Sequence, residues 1–335
     1  MKNKYEFAFL IHARNTQDLK NNLKFLKIFP NIFVDYLSIF FPPFLISSID
    51  GLRDDSGSEV KGCIIACPMS ASMMLKKRGI AAKKVLAATR LAEKLGAKIV
   101  GLGGFTSSVT EGGKKLVAEK VNLAITTGNA LTAGVALMDF RAICEKNKID
   151  IKRISVAIVG ATGSIGAGLA KSLINEVGNL ILLGKTKEHV EELANEMKSF
   201  GNIEKNIYST DISEIKNADF VIMATASSEA VLSQENLKQK AIIYDLTQPR
   251  NVSEEILVNR PDLSLYGGGF VATPTINYQV NTGLPKGVSF ACLSETMLLA
   301  AEKDFNSYVG KVSVDSIANI VKVAVKHNFK SSLVS

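Results

Sequence analysis

Three glycines, Gly160, Gly163 and Gly166, stand at the spacing G-x-x-G-x-x-G, directly after the apolar run 156–159 and before an Ala/Leu-rich stretch. Strand, glycine turn and helix in that order suit the pyrophosphate of a dinucleotide. Gly160 allows the tight turn, Gly163 lets the backbone approach the phosphates, and Gly166 lets helix and strand close up. With Thr162, Ser164 and Ile165 between them, they set backbone N–H groups at a helix N-terminus, where the dipole favours an anion. The same triplet would also serve a turn that only packs a helix on a sheet. The second strand of such a unit, 179–183, runs into Gly184, Lys185, Thr186 and Lys187. A site for NADH usually carries a carboxylate here to accept from the ribose 2′-hydroxyl. Two cations and a hydroxyl suit a 2′-phosphate instead, so NADPH is the expected cofactor, unless these are plain surface lysines. Ala224, Thr225 and Ala226 form a small-residue strand end past which a cofactor could run.

A second group of reactive residues lies in 288–303, VSFACLSETMLLAAEK. Ser289 as a helix cap would put Phe290, Ala291 and Cys292 in a first turn, where the positive helix end favours a thiolate. Glu295 follows on the same side, placed to orient the thiol, relay a proton or form a structural ion pair. A small cysteine packed in a core leaves the same pattern. Ser107 follows GGFT at 103–106, and Thr127 and Asn129 flank Gly128. Hydroxyl and amide groups beside glycines at strand ends are donors for an oxyanion or a phosphate. Thr127 or Asn129 would equally cap the helix that follows.

These residues need strands that end where they begin. Strands are expected at 5–11, 60–67 (stopped by Pro68), 98–102, 122–126, 156–159, 179–183, 220–224 and 241–244. Helices are expected at 16–29, 80–95, 129–144 and 314–325. The alternation predicts an α/β protein with a doubly wound parallel sheet and a second α/β domain. Residues 1–150 would form the substrate domain and 151–287 the nucleotide domain, joined through the polar 146–152. Residues 288–335 would carry Cys292 back onto the first domain. The loops 245–250 (DLTQPR) and 267–269 fall on the presumptive ligand edge.

Residues 29–49 are apolar and aromatic, but Asp35, Pro30, Pro42 and Pro43 interrupt them. That is too broken for a spanning helix. It suits a core segment, a wall for a long apolar ligand, or a surface in peripheral contact with a membrane. At 335 residues, with 47% apolar and 21% charged, the chain can bury two cores. The net charge of +8 comes from short runs without interleaved aromatics, which argues against nucleic acid. It fits an acidic carrier, a phosphorylated cofactor or simply a lysine-rich surface. Four cysteines without a framework point to a reducing cytoplasm. His12, His189 and His327 are too dispersed for a metal site, and the first residues do not read as a signal peptide.

Four segments, GLGGFTS (101–107), TTGNALT (126–132), VAIVGATGSIG (156–166) and ACLSETMLL (291–299), occur in an order that resembles the long-chain acyl-[acyl-carrier-protein] reductases of cyanobacteria. The resemblance runs from about residue 63 to the C-terminus. It implies a Rossmann-type NADPH domain, acylation of Cys292, and reduction of a fatty acyl thioester of acyl carrier protein or coenzyme A to a fatty aldehyde. Related bacterial sequences outside that group are often labelled only as amino-acid or shikimate-type dehydrogenases, an alternative class for this chain that would form no covalent intermediate and would want an acid/base such as Lys61, Lys83 or Lys84. A regulator that senses NADP without chemistry is a third reading.

Overall fold

The structure, a computed structural model, describes residues 4–22, 24–225, 232–247 and 250–333. Ala226 of the small-residue strand end, and Gln248 and Pro249 of the DLTQPR loop, lie outside them. The chain divides into two compact units. The first holds residues 1–128, 271–310 and 323–329, and the second holds 129–270, 311–322 and 330–335. The division falls at Gly128/Asn129, not near residue 150 as the polar stretch suggests.

Among the described residues of the first unit, β1 (Phe7–Ala13), β2 (Phe44–Ile49), β3 (Gly62–Ser70), β4 (Ile99–Leu102) and β5 (Ala124–Thr126) form a sheet in the order β2-β3-β1-β4-β5. β2 is an antiparallel edge and the other pairings are parallel. All nine residues of β3 are buried, as expected for a strand covered on both faces. Pro68 does not stop β3. Its pairing with β2 ends at Ala66, and its register on β1 jumps from Cys67 to Ser70. A residue without an N–H loses no ladder bond there. Helices α1 (Thr16–Asn22), α2 (Asn31–Ser38), α3 (Ala71–Lys76), α4 (Arg78–Lys94), α5 (Phe105–Val109) and α6 (Lys114–Ala118) complete this part. The single helix expected at 16–29 is instead α1 followed by a 3-10 turn, Lys24–Ile28, which together with α2 buries Leu19, Leu26 and Val34 in a small satellite core.

The second unit opens with α7 (Asn129–Lys146). Its sheet comprises β6 (Ser155–Val159), β7 (Asn179–Leu183), β8 (Ile207–Ser209), β9 (Phe220–Met223), β10 (Ile242–Asp245) and β11 (Ser264–Gly267). The strands are all parallel, in the order β11-β10-β9-β6-β7-β8. Read from β6 as the first strand, this is the doubly wound order 3-2-1-4-5-6, with its switch point between β6 and β9. Ligands of such sheets bind outside the strand carboxyl ends at that point. α8 (Ser164–Leu173), α9 (Lys187–Met197) and α10 (Glu255–Asn259) connect the strands. Residues 271–310 return to the first unit and bring α11 (Ala291–Ala301), which packs on β1 and β4. α12 (Val314–Lys326) passes from the second unit into the first. No helix among the described residues is long and apolar enough to cross a membrane.

Candidate functional site

In the first unit, β1, β4 and β5 run parallel, so His12, the Gly103–Gly104 loop and Thr127 leave the same edge of the sheet. α11 is held against that edge by two glycines. A side chain at Gly101 would collide with Thr296. Gly128 has φ +70, and a β-carbon there would overlap the Cα and Cβ of Cys292. Strand β4 and the turn after β5 therefore carry glycine where α11 approaches, and Gly128 lies directly on the Cys292 backbone. Glu295, one turn along, is buried and accepts a 2.5 Å bond from Thr126 Oγ1, which in turn accepts from the Gly128 N–H at 3.2 Å. The turn and the carboxylate are thus bonded to one another beside the Cys292 backbone.

The sequence misreads two features of Cys292. Ser289 does not cap α11. It is the middle residue of the short strand Val288–Phe290, its hydroxyl donates to the Phe290 carbonyl, and the capping position is Phe290. Nor is the thiol acidified. Burial first, and the Glu295 carboxylate further down, push it up to about 12. Desolvation outweighs the helix end because it penalises the charged form directly. Cys292 is nonetheless partly exposed, whereas Cys63, Cys67 and Cys144 are buried.

Of the three expected oxyanion donors, Ser107 sits half-buried in α5 and Thr127 is buried at the end of β5. Asn129 opens α7 and belongs to the second unit. His12, set aside in the sequence as one of three dispersed histidines, proves to organise the Ser107 loop. Its Nε2 accepts from the Phe105 N–H at 3.1 Å, and its Nδ1 lies 2.9 Å from the Ala13 carbonyl. A carbonyl only accepts, so Nδ1 carries the proton and the ring is neutral, in line with burial lowering its pKa. The lysines of the dehydrogenase reading are engaged elsewhere or on the surface. Lys84 Nζ donates to the carbonyls of Ser38 (2.9 Å) and Phe41, Lys61 pairs with Glu59, and Lys83 is exposed.

In the second unit the glycine turn is built as its spacing requires. Gly160 has φ +85, and a β-carbon there would lie 2.8 Å from the Ala224 carbonyl oxygen across the switch point. A β-carbon at Gly166 would overlap the carbonyl of Gly160, so α8 can close on β6 only with glycine there. Gly163 is the helix-capping residue of α8, ahead of Ser164, Ile165 and Gly166. Thr162 fills the space above Gly184 at the end of β7. Thr186 precedes α9, and its hydroxyl is shut off from water without a hydrogen-bond partner. Lys187 pairs loosely with Glu191 at 3.8 Å, and Lys185 is exposed. Beyond β10, Asp245 accepts from the backbone of Thr247, Asn251 and Val252, and Asn251 reaches the Thr225 carbonyl at 3.4 Å. A dinucleotide fits this donor set: a cradle that any side chain would fill, helix amides at its end, and an unpaired hydroxyl where the adenosine ribose of such folds lies.

Residues 142–266 match the family model Shikimate / quinate 5-dehydrogenase. With the strand order and the glycine turn, that match supports NAD(P)-dependent oxidoreduction by an α/β enzyme of dehydrogenase type. Within that class, the chain is 28% identical over 307 residues to the long-chain acyl-[acyl-carrier-protein] reductase of Synechococcus elongatus, covering 86% of this chain and 87% of that protein. It is 29% identical to Aminotransferase PigE of Serratia sp., over 82% of this chain but only 33% of that longer protein. A glutamyl-tRNA reductase of Christiangramia forsetii is 23% identical over 65% of this chain and 49% of its own length.

Proposed function

We propose that the protein reduces a fatty acyl thioester, carried by acyl carrier protein or coenzyme A, to the aldehyde with NADPH, through an acyl-enzyme on Cys292. The observation that carries this reading is the closure of the Gly128 turn on Cys292, with Glu295 and Thr126 bonded beneath it. The long match to the Synechococcus reductase supports it.

At neutral pH Cys292 is a thiol, so attack needs its proton removed. Glu295, three residues on and buried, is the residue placed to accept it. The sulfur then adds to the thioester carbonyl, the bond to the carrier sulfur breaks, and the carrier leaves as a thiol with the proton. Thioester exchange is nearly isoenergetic and fixes the carbonyl for the next step. Bound NADPH would supply the hydride. Thr127 and Ser107 would steady the oxygen of the resulting hemithioacetal, whose collapse frees the aldehyde and restores sulfur on Cys292. The Gly160–Gly166 turn would hold the pyrophosphate, Ala224 and Thr225 would flank it, and Lys185, Thr186 and Lys187 the 2′-phosphate. The basic surface suits an acidic carrier, and free thiols suit a reducing cytoplasm.

Intact-protein mass spectrometry after incubation with an acyl thioester, without NADPH, tests this. The wild type should gain one acyl mass. Cys292→Ala should gain none and form no aldehyde, yet bind NADPH normally. A wild-type protein that never gains the adduct would overturn the covalent route and leave the dehydrogenase reading, to be sought with small ketones.

A further inference from the structure

The most unusual surface of the first unit is α2 and the turn before it. In a surface helix of a soluble protein the apolar side chains turn inward and the polar ones outward. α2 is inverted. Its acid, Asp35, accepts from Thr16 and Ser70, both at 2.8 Å, and Ser38 is fully buried, bonded to the Asp35 carbonyl. Ile32, Phe33, Tyr36 and Phe40, at spacings that share one helical face, point outward, with Ile32 70% and Phe40 80% exposed. The preceding turn adds Phe25 (58%) and Ile28 (82%). Single exposed apolar residues are ordinary, but six neighbours in sixteen positions are not.

The residues around this patch are basic. Lys27 is exposed within it, and Lys76 lies over the Tyr36 ring at 5.8 Å, which joins the patch to α3 and the start of α4. Leu75, Lys76, Lys77, Arg78 and Ile80 are all exposed there, and the stretch 71–92 contains six cations and no acid. The one acid between residues 19 and 49 is Asp35, which is turned inward. Protruding aliphatic and aromatic side chains ringed by lysine and arginine match the interfacial zone of an anionic bilayer, with apolar groups among the acyl chains and cations at the phosphates.

We propose that the face made by Phe25, Ile28, Ile32, Phe33, Tyr36 and Phe40 docks the protein on an anionic lipid surface, with Lys27, Lys76, Lys77 and Arg78 at the headgroups. The contact is independent of the chemistry proposed for Cys292, since it rests on surface residues alone. Within 29–49 the outward face is confined to Ile32, Phe33, Tyr36 and Phe40; Phe29, Val34, Leu37 and Phe41 pack in the satellite core and 44–49 is strand β2.

The chain has no tryptophan, so Phe40→Trp introduces a single tryptophan at an 80% exposed position just beyond α2. Titration of that variant with phosphatidylglycerol/phosphatidylcholine vesicles should shift its emission to the blue and carry the protein upward in a flotation gradient. Phosphatidylcholine vesicles alone should bind at least tenfold more weakly. Lys76→Ala/Lys77→Ala should weaken binding by on the order of tenfold or more, and high salt should weaken the parent in the same direction. In the otherwise unaltered chain, Ile32→Ser/Phe40→Ser should abolish flotation while thermal melting and NADPH binding stay at parent values, which separates loss of docking from misfolding. No shift with either vesicle would overturn the proposal. So would equal binding to both vesicles, or a blue shift without lipid that grows with protein concentration and marks a second copy as the occupant. A shift produced by an acidic carrier protein in place of vesicles would assign the face to that partner instead.

Discussion

Burial sets the central problem at Cys292. A thiol near 12 is about one part in 10⁵ thiolate at pH 7, so its reactivity depends on what removes the proton. Alkylation by iodoacetamide, followed by peptide mass spectrometry, should therefore climb about tenfold per pH unit from 7 to 10 without the plateau of an ordinary cysteine. Glu295→Gln removes a negative charge that raises the thiol, so its alkylation curve should move to lower pH. The same change removes the proposed base, so acyl transfer at pH 7 should slow. Both rates moving together would deny Glu295 the part of base. At the other site, Lys185→Ala/Lys187→Ala should weaken NADPH relative to NADH by about ten- to a hundredfold, from the loss of charge-assisted bonds of about 1.5–3 kcal/mol. Equal loss for both cofactors, read by fluorescence titration, would count against a 2′-phosphate site. The pairing of Cys292 with Glu295 is legible in the sequence because i and i+3 share a helix face. The acidity of the thiol is not, because it depends on Gly128, more than 160 positions away, closing over it.

At the scale of elements, the sharpest constraint is the turn at Gly128. Its φ of +70 and its contact with the Cys292 backbone both exclude a side chain. Gly128→Ala should push α11 away from β5, lower acylation of Cys292 by at least tenfold and cost on the order of 1–3 kcal/mol of stability. The second unit contains neither residue of that contact, so NADPH binding should persist; joint loss of acylation and NADPH binding would show a wider collapse. Strands and the glycine turn were legible because their signals are local: continuous apolar runs, and glycines at fixed spacing. Two local signals misled. Pro68 reads as a stop, yet it sits where β3 slips register on β1 and no N–H is needed. Residues 16–29 keep a helical period, but burying Leu19 and Leu26 against Val34 requires the chain to turn between them.

For the molecule as a whole, the buried cysteines lower alkaline stability, in the same direction as the raised hydroxyls of Tyr244 and Tyr308. Cys63 and Cys67 are raised to about 12 and Cys144 to about 11 by burial, alongside Cys292. Above pH 9 the unfolded thiols ionise while the folded ones stay protonated, so each costs about 1 kcal/mol of stability per pH unit. Lys84 acts the other way. Its folded value of about 8 lies below its ordinary 10.5, so it adds stability as pH rises through that window, but it is one group against four. Urea midpoints should fall steeply from pH 9 to 10.5, and Cys67→Ala/Cys144→Ala should flatten the fall. The two parallel sheets are written in the sequence as alternating patterns. The way the chain interleaves them is not, since a long-range return such as 271–310 leaves no periodicity to read.

That interleaving has a consequence for synthesis. The turn at Gly128 leaves the ribosome long before Cys292, and the whole of 129–270 must be translated in between. A nascent chain therefore carries the glycine turn at 160–166 before it carries Cys292, so under the proposed chemistry the hold on the cofactor is made before the sulfur that would take an acyl group. If that chemistry holds, no partly synthesised chain would take up an acyl group before the segment that is to bind the reductant has been made.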